Sequence, residues 1–136
     1  MRSSISEGYD RVTDILFPYS GLTQVPRKVL DSAGERGTII HLACDAKIYH
    51  GLGAVVDPEY DGYIKSFCQW LPGKKFIPKP SRFYCNKYMI TGECDGIIEN
   101  EKGLTIVDFK TSAKESKTWK LQGSAYSYMA KKEGYD

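Results

Sequence analysis

Cysteine and histidine are scarce in this chain, with four of the first and two of the second among 136 residues. Cys44, Cys68, Cys85 and Cys94 stand 24, 17 and 9 positions apart. No Cys-x-x-Cys pair occurs, so a zinc ribbon is excluded and buried free thiols are expected. Long apolar runs are missing too. No stretch approaches the roughly 20 residues of a membrane-spanning helix, so no membrane partner is expected. Arg2, Glu7, Asp10, Arg11 and Asp14 interrupt the opening and leave no apolar core for an export signal. Without export, a disulfide framework is not expected either. There is no internal repeat and no low-complexity tract. An apolar share of 41% then excludes a disordered tail, and no collagen or coiled-coil period is present. A net charge of +2 identifies no partner by itself. What remains is a soluble, cytoplasmic single domain over residues 1–136, long enough to bury a core.

The first 34 or so residues read as irregular, because Pro18, Gly21 and Pro26 break any long element. A helix is expected over about 35–49, with Ile39, Ile40, Ala43, Ala46 and Ile48 as its apolar face and Gly51 and Gly53 ending it. A second is expected over about 58–71, carried by Tyr60, Tyr63, Ile64, Phe67 and Leu71 and stopped by Pro72-Gly73. Three strands follow over about 81–89, 91–99 and 104–110, the last two joined by a turn at Asn100–Gly103. A closing helix over about 115–132 carries Trp119, Ala125, Tyr126 and Met129 near one stripe. This order predicts an α/β or α+β domain with a small mixed sheet of three to four strands flanked by helices.

Chemistry concentrates in Gly92-Glu93-Cys94-Asp95-Gly96 and Ile106-Val107-Asp108-Phe109-Lys110-Thr111. Strand alternation puts Asp108 and Lys110 on one face and turns Phe109 to the other. If the strands pair through the Asn100–Gly103 turn, Asp95 comes close to Asp108. Two carboxylates at neighbouring strand ends make a hard oxygen site for Mg²⁺ or Mn²⁺. A lysine on the same face can orient a water and stabilise charge on a phosphate. A lone Asp-x-Lys is commonly only a solvated charge pair, but here it has company. Upstream, Ala33-Gly34-Glu35-Arg36-Gly37-Thr38-Ile39-Ile40-His41 places His41 within the first long helix, one turn after Gly37. Downstream, Gln122 and Tyr126 stand four apart on the closing helix and share a face.

The ordered set of His, Gly-x-x-Asp, Asp-x-Lys and Gln-x-x-x-Tyr resembles the RecB-like branch of the PD-(D/E)XK nuclease superfamily. The nearer likeness is to phage-type and mitochondrial-genome-maintenance-type exonucleases, whose opening is similar to Val12-Thr13-Asp14-Ile15-Leu16. The likeness runs over residues 10 to 135. It implies a restriction-endonuclease-like core in which His41, Asp95, Asp108 and the backbone carbonyl of Phe109 ligate the metal. It also implies that Lys110 is the catalytic lysine and that Gln122 and Tyr126 buttress the site and approach DNA. Three departures stand out. Lys79-Pro80-Ser81-Arg82 offers no acid where many relatives carry a Glu, and Glu93, in register with Asp95, is the nearest substitute. No cysteine follows Cys94, so the iron–sulfur cluster of some relatives is not expected. The family core has a further strand after the closing helix, and the sequence here runs only to Gly134-Tyr135-Asp136.

Residues 71–90 hold Lys74, Lys75, Lys79, Arg82 and Lys87 and no acid, with Phe76, Phe83, Tyr84 and Tyr88 interleaved. Such a stripe can follow phosphates while an aromatic such as Phe76 stacks on unpaired bases. It reads otherwise as a solvated loop with core aromatics. Lys114, Lys117 and Lys120 could extend the patch, whereas Lys131-Lys132 complements a helix C-terminus. The expected function is a Mg²⁺- or Mn²⁺-dependent deoxyribonuclease. By resemblance it is an exonuclease in recombination, repair or phage DNA processing, in a bacterial or phage-infected cell, with DNA ends or single strands as substrate. A structure-specific endonuclease, a silent DNA-binding module, and a subunit working with a helicase or annealing protein are the alternatives.

Overall fold

In the computed structural model, which describes residues 8–53 and 55–135, helix α2 (Arg27–His50) is the longest element. Arg2, Glu7 and Asp136 lie outside the described residues. The helix begins well before residue 35, which corrects the irregular reading of this segment. Pro26 holds the residue before the first turn at φ −55° and ψ 141°, and Arg27 pairs with Asp31 one turn on. Residues 27–35 are mostly exposed, so no apolar periodicity marks them. The far end is as expected. Gly51 takes the left-handed conformation at φ 65° and closes the helix onto the Lys47 carbonyl. Upstream lie a two-residue strand β1 (Asp10–Arg11) and a short helix α1 (Val12–Leu16).

Helix α3 (Asp61–Trp70) follows a single 3₁₀ turn at Pro58–Tyr60 and buries Phe67. The β region departs from a single sheet. Strands β2 (Lys75–Phe76), β3 (Phe83–Cys85), β4 (Ile90–Gly92), β5 (Gly96–Asn100) and β6 (Gly103–Val107) join β1 in two three-stranded sheets. One has the order β1-β4-β3, with β1 parallel to β4; the other is the antiparallel set β2-β5-β6. The expected strand over 81–89 is cut by a turn in which Met89 has φ 51°. The expected strand over 91–99 breaks at Glu93–Asp95, where the chain leaves the first sheet and enters the second. The expected strand over 104–110 ends at Val107. The β5–β6 hairpin turns where expected, with Gly103 at φ 121° and the Asn100 side chain accepting the Lys102 N–H. The described residues are thus mixed α and β, with four α-helices among them. Among the described residues no helix is long and apolar enough to cross a membrane.

Helix α4 (Thr118–Lys132) covers the sheets. Its Tyr126, Met129 and Ala130 pack with Val12, Phe83, Cys85, Cys94 and Ile97 in the larger core. A smaller core joins α2 to α3 through Ile40, Cys44 and Phe67, and Phe109 packs against it. The segment after β6 therefore runs along the seam between two apolar clusters. Cys44, Cys85 and Cys94 are buried free thiols, but Cys68 is exposed, because it follows Phe67 on α3 and points away from the face that Phe67 buries.

Gly92 ties the sheet to α4. A Cβ there would lie 2.3 Å from Tyr126 Cε1, and that ring is buried in the core with no room to retreat. Gly92→Ala should therefore cost about 1–3 kcal/mol by overpacking. Gly34→Ala, at an open helical position, should instead stabilise by up to about 1 kcal/mol. Urea denaturation of the two variants checks the contrast, and equal midpoints would contradict the close packing.

Candidate active site

Asp95 sits where the chain crosses between the sheets, and three elements fix it. Its N–H donates to the Val107 carbonyl at 3.0 Å, extending the β5–β6 ladder by one rung. Its carbonyl accepts the Tyr49 hydroxyl of α2 at 3.2 Å. Its Oδ2 accepts the Phe109 N–H at 2.6 Å. Asp108, Phe109 and Lys110 lie just past β6, yet the expected alternation persists through them. Asp108 Oδ2 and Lys110 Nζ meet at 2.7 Å, while the Phe109 ring turns away and meets Phe67 and Trp70 edge to face at 5.3 and 5.8 Å.

His41 enters from α2. Its Nδ1 lies 2.6 Å from the Gly37 carbonyl and its Nε2 2.7 Å from the Phe109 carbonyl. Carbonyl oxygens only accept, so each ring nitrogen carries a hydrogen and the ring is an imidazolium. Nε2 also lies 3.2 Å from Asp95 Oδ2. That hydrogen bond, against the opposing effect of burial, raises the His41 pKa to about 9. Burial works to raise the Asp95 pKa, but the His41 bond and charge and the Phe109 N–H outweigh it and leave the carboxyl below its ordinary range. Asp108 goes the other way. Burial, with Asp95 beside it and against the pull of Lys110, pushes it up to about 6. The two carboxyl groups act on one another, each shifting its neighbour's proton affinity.

From Lys110 the network continues into α4. Lys110 Nζ donates to Gln122 Oε1 at 2.6 Å, and Gln122 Nε2 donates to the Tyr126 hydroxyl at 3.0 Å. His41, Asp95, Asp108, Phe109, Lys110, Gln122 and Tyr126 all line one cleft of about 650 Å³. Arg11, Leu42 and Thr91 line it as well, and no motif in the sequence points to them. Tyr49 was also missed as the support of Asp95, although its spacing of two helical turns from His41 was a usable signal.

The basic stripe divides. Arg82 lines the cleft, where it approaches Thr91 at 3.4 Å and Glu93 at 3.3 Å. Lys75 pairs with Glu99 at 2.6 Å, and Lys79 donates to the Pro80 carbonyl. Lys74 and Lys87 sit over the rings of Trp70 and Tyr88. The Phe76 ring is engaged by Tyr49 and Trp70 and covers Gly96, where a Cβ would lie 2.5 Å from it.

Two neighbouring carboxylates and a backbone carbonyl, with an imidazole that could join them once deprotonated, form the oxygen-rich donor set that suits a hard divalent cation. The neighbouring carboxyl groups are the feature that fits, since a divalent cation would offset their mutual repulsion more fully than His41 and Lys110 do. Among the described residues, no three His, Cys, Asp or Glu side chains stand grouped to hold an ion as they are. His41 and Lys110 are themselves bonded to the carboxylates, so a cation would be held by Asp95, Asp108 and the Phe109 carbonyl, with His41 after it gives up the Nε2 proton.

Asp108→Asn should leave the metal-free fold intact and raise its stability on the order of 1 kcal/mol above pH 6. A carboxyl whose pKa rises from 3.8 to about 6 on folding destabilises the fold increasingly as pH climbs through that window. The gain should therefore vanish near pH 4. Thermal melts at both pH values check this, and a large loss of stability at pH 8 would contradict it.

No family model, curated protein or solved structure matches the chain.

Proposed function

We propose that the chain is a metal-dependent deoxyribonuclease of the PD-(D/E)XK kind, hydrolysing phosphodiester bonds in DNA. One observation carries the reading. Residues from four separated segments are joined by hydrogen bonds into one cleft, in the order His41, Phe109–Asp95, Asp108, Lys110, Gln122 and Tyr126. A solvated charge pair on a strand edge would have no reason to recruit a buried glutamine and tyrosine from another element.

Asp95, Asp108 and the Phe109 carbonyl would hold Mg²⁺ or Mn²⁺, with His41 Nε2 beside them. The ion supplies charge stabilisation for the phosphate and lowers the pKa of a bound water. Gly37 holds Nδ1–H and so leaves Nε2 as the nitrogen facing the donor set. An ammonium has three N–H donors. Asp108 and Gln122 take two from Lys110, and the third serves the attacking water or the scissile phosphate. Gln122, fixed by Tyr126, sets the direction of that donor. Arg82, on the cleft wall, supports binding of the anionic strand.

Lys110→Ala should lose about 10²–10³ in cleavage rate, the usual cost of one preorganised electrostatic contact, and still bind metal. The assay uses end-labelled single-stranded, duplex and circular DNA with and without Mn²⁺, with calorimetry for the metal. Release from ends with circles intact identifies an exonuclease, and cut circles identify an endonuclease. Wild-type protein that cleaves none of them with Mn²⁺ would overturn the reading, as would Lys110→Ala cleaving at the wild-type rate.

A further inference from the structure

Beside the catalytic cleft lies a second hollow of about 650 Å³ whose walls are of another kind. It shares Asp108, Phe109, Lys110 and Thr111 with the cleft, so this one segment forms a wall of both. Its remaining wall is α3 and the adjoining face of α2, and aromatic rings dominate it through Tyr63, Phe67, Trp70 and Phe109. Phe67 is buried; Phe109 meets Phe67 and Trp70 edge to face, and Phe67 and Trp70 meet at a tilt of 36°. Trp70 is nevertheless 37% exposed, so the cluster leaves a large ring open to solvent. No side chain fills the space before Gly62, where a Cβ would meet nothing within 4 Å. An apolar, ring-lined cavity of this size with a few polar groups is the usual form of a small-molecule site.

We propose that this hollow is a nucleobase pocket, taking one unstacked base of the DNA strand next to the phosphate to be cut. The inference rests on the nuclease reading and adds a base subsite to it, one that favours ends and single strands because an unpaired base leaves the stack at least cost. Three features select a base over another apolar group. The rings offer faces and edges for stacking, which is sequence-tolerant because every base has a π-face. Glu59 and Ser66 on the wall offer acceptors for exocyclic amines. A cation stands at the ring cluster: Lys74 Nζ lies 5.0 Å from the Trp70 ring centre. It can neutralise one phosphate beside a flipped nucleotide. The stacking surface is thus Trp70 and its neighbours, and Phe76 serves as part of their support.

Trp119→Phe leaves Trp70 as the sole tryptophan and so as a fluorescent reporter. The probes, in EDTA to prevent cleavage, are a single-stranded thymidine oligonucleotide, an all-abasic strand of equal length and a free deoxynucleoside 5′-monophosphate. The oligonucleotide should quench Trp70, and the abasic strand should bind at least about tenfold more weakly without quenching it. The monophosphate should compete only at far higher concentration. Trp70→Ala should remove the preference for base over abasic strand. Gly62→Leu fills the hollow from an open helical position and should do the same while its circular dichroism stays that of the parent. Equal quenching by both strands, an unchanged preference in Gly62→Leu, or quenching by the monophosphate alone would each overturn the pocket. If DNA is still bound and cleaved in that event, the nuclease reading survives it. If no DNA is bound at all, both fall together.

Discussion

Everything at the candidate site depends on how Phe109 is held. Its ring is anchored between α2 and α3 by Phe67 and Trp70. Its N–H is bound by Asp95 and its carbonyl by His41. One residue thereby joins the smaller core, the crossing between the sheets and the long helix. Strand alternation then places Asp108 and Lys110 together on the opposite side. A polar residue at 109 would leave the ring site empty and free the backbone that spaces the two carboxyl groups.

The electrostatics follow from that fixed geometry. Two carboxyl groups held as neighbours and partly out of water repel, and the fold answers with two cations, His41 and Lys110. The groups split in consequence: Asp95 is held below the ordinary carboxylate range, while Asp108 is pushed up to about 6. Divergent pKa values at one constellation are typical of sites arranged for chemistry at some cost in stability. Lys110 is restrained on several sides, by Asp108, by Gln122 and by the Trp119 ring 5.7 Å away. A lysine so confined has already lost most of the rotamer freedom that catalysis would otherwise have to remove.

Much of this is legible in the amino-acid order because it rests on short-range periodicity. Ile40, Ala43 and Phe67 mark helices that the structure contains, and the Asn100–Gly103 turn is explained by Gly103. The two-residue strands β1 and β2 are not legible, since two residues carry no alternation. Nor is the division into two sheets, because residues 91–99 read as one strand while the break at Glu93–Asp95 depends on distant partners. At the site, it is the resemblance carried by the ordered motifs that nominates His41, Asp95, Asp108, Lys110, Gln122 and Tyr126, and the structure brings all six to one cleft. The reason for Gly92 is hidden until the Tyr126 ring is seen against it. The basic stripe shows the limit of composition. Its charges count alike in sequence, but Lys75 is occupied by Glu99 while Arg82 reaches the cleft.

The central claim is that Asp95, Asp108 and the Phe109 carbonyl form one divalent-cation centre. Anomalous diffraction from crystals soaked in Mn²⁺ tests it most directly. The account predicts a single strong peak touching both carboxylates and the Phe109 carbonyl, with the His41–Phe109 hydrogen bond broken. A peak elsewhere on the surface, with Asp95 still bonded to His41 and Asp108 to Lys110, would contradict it.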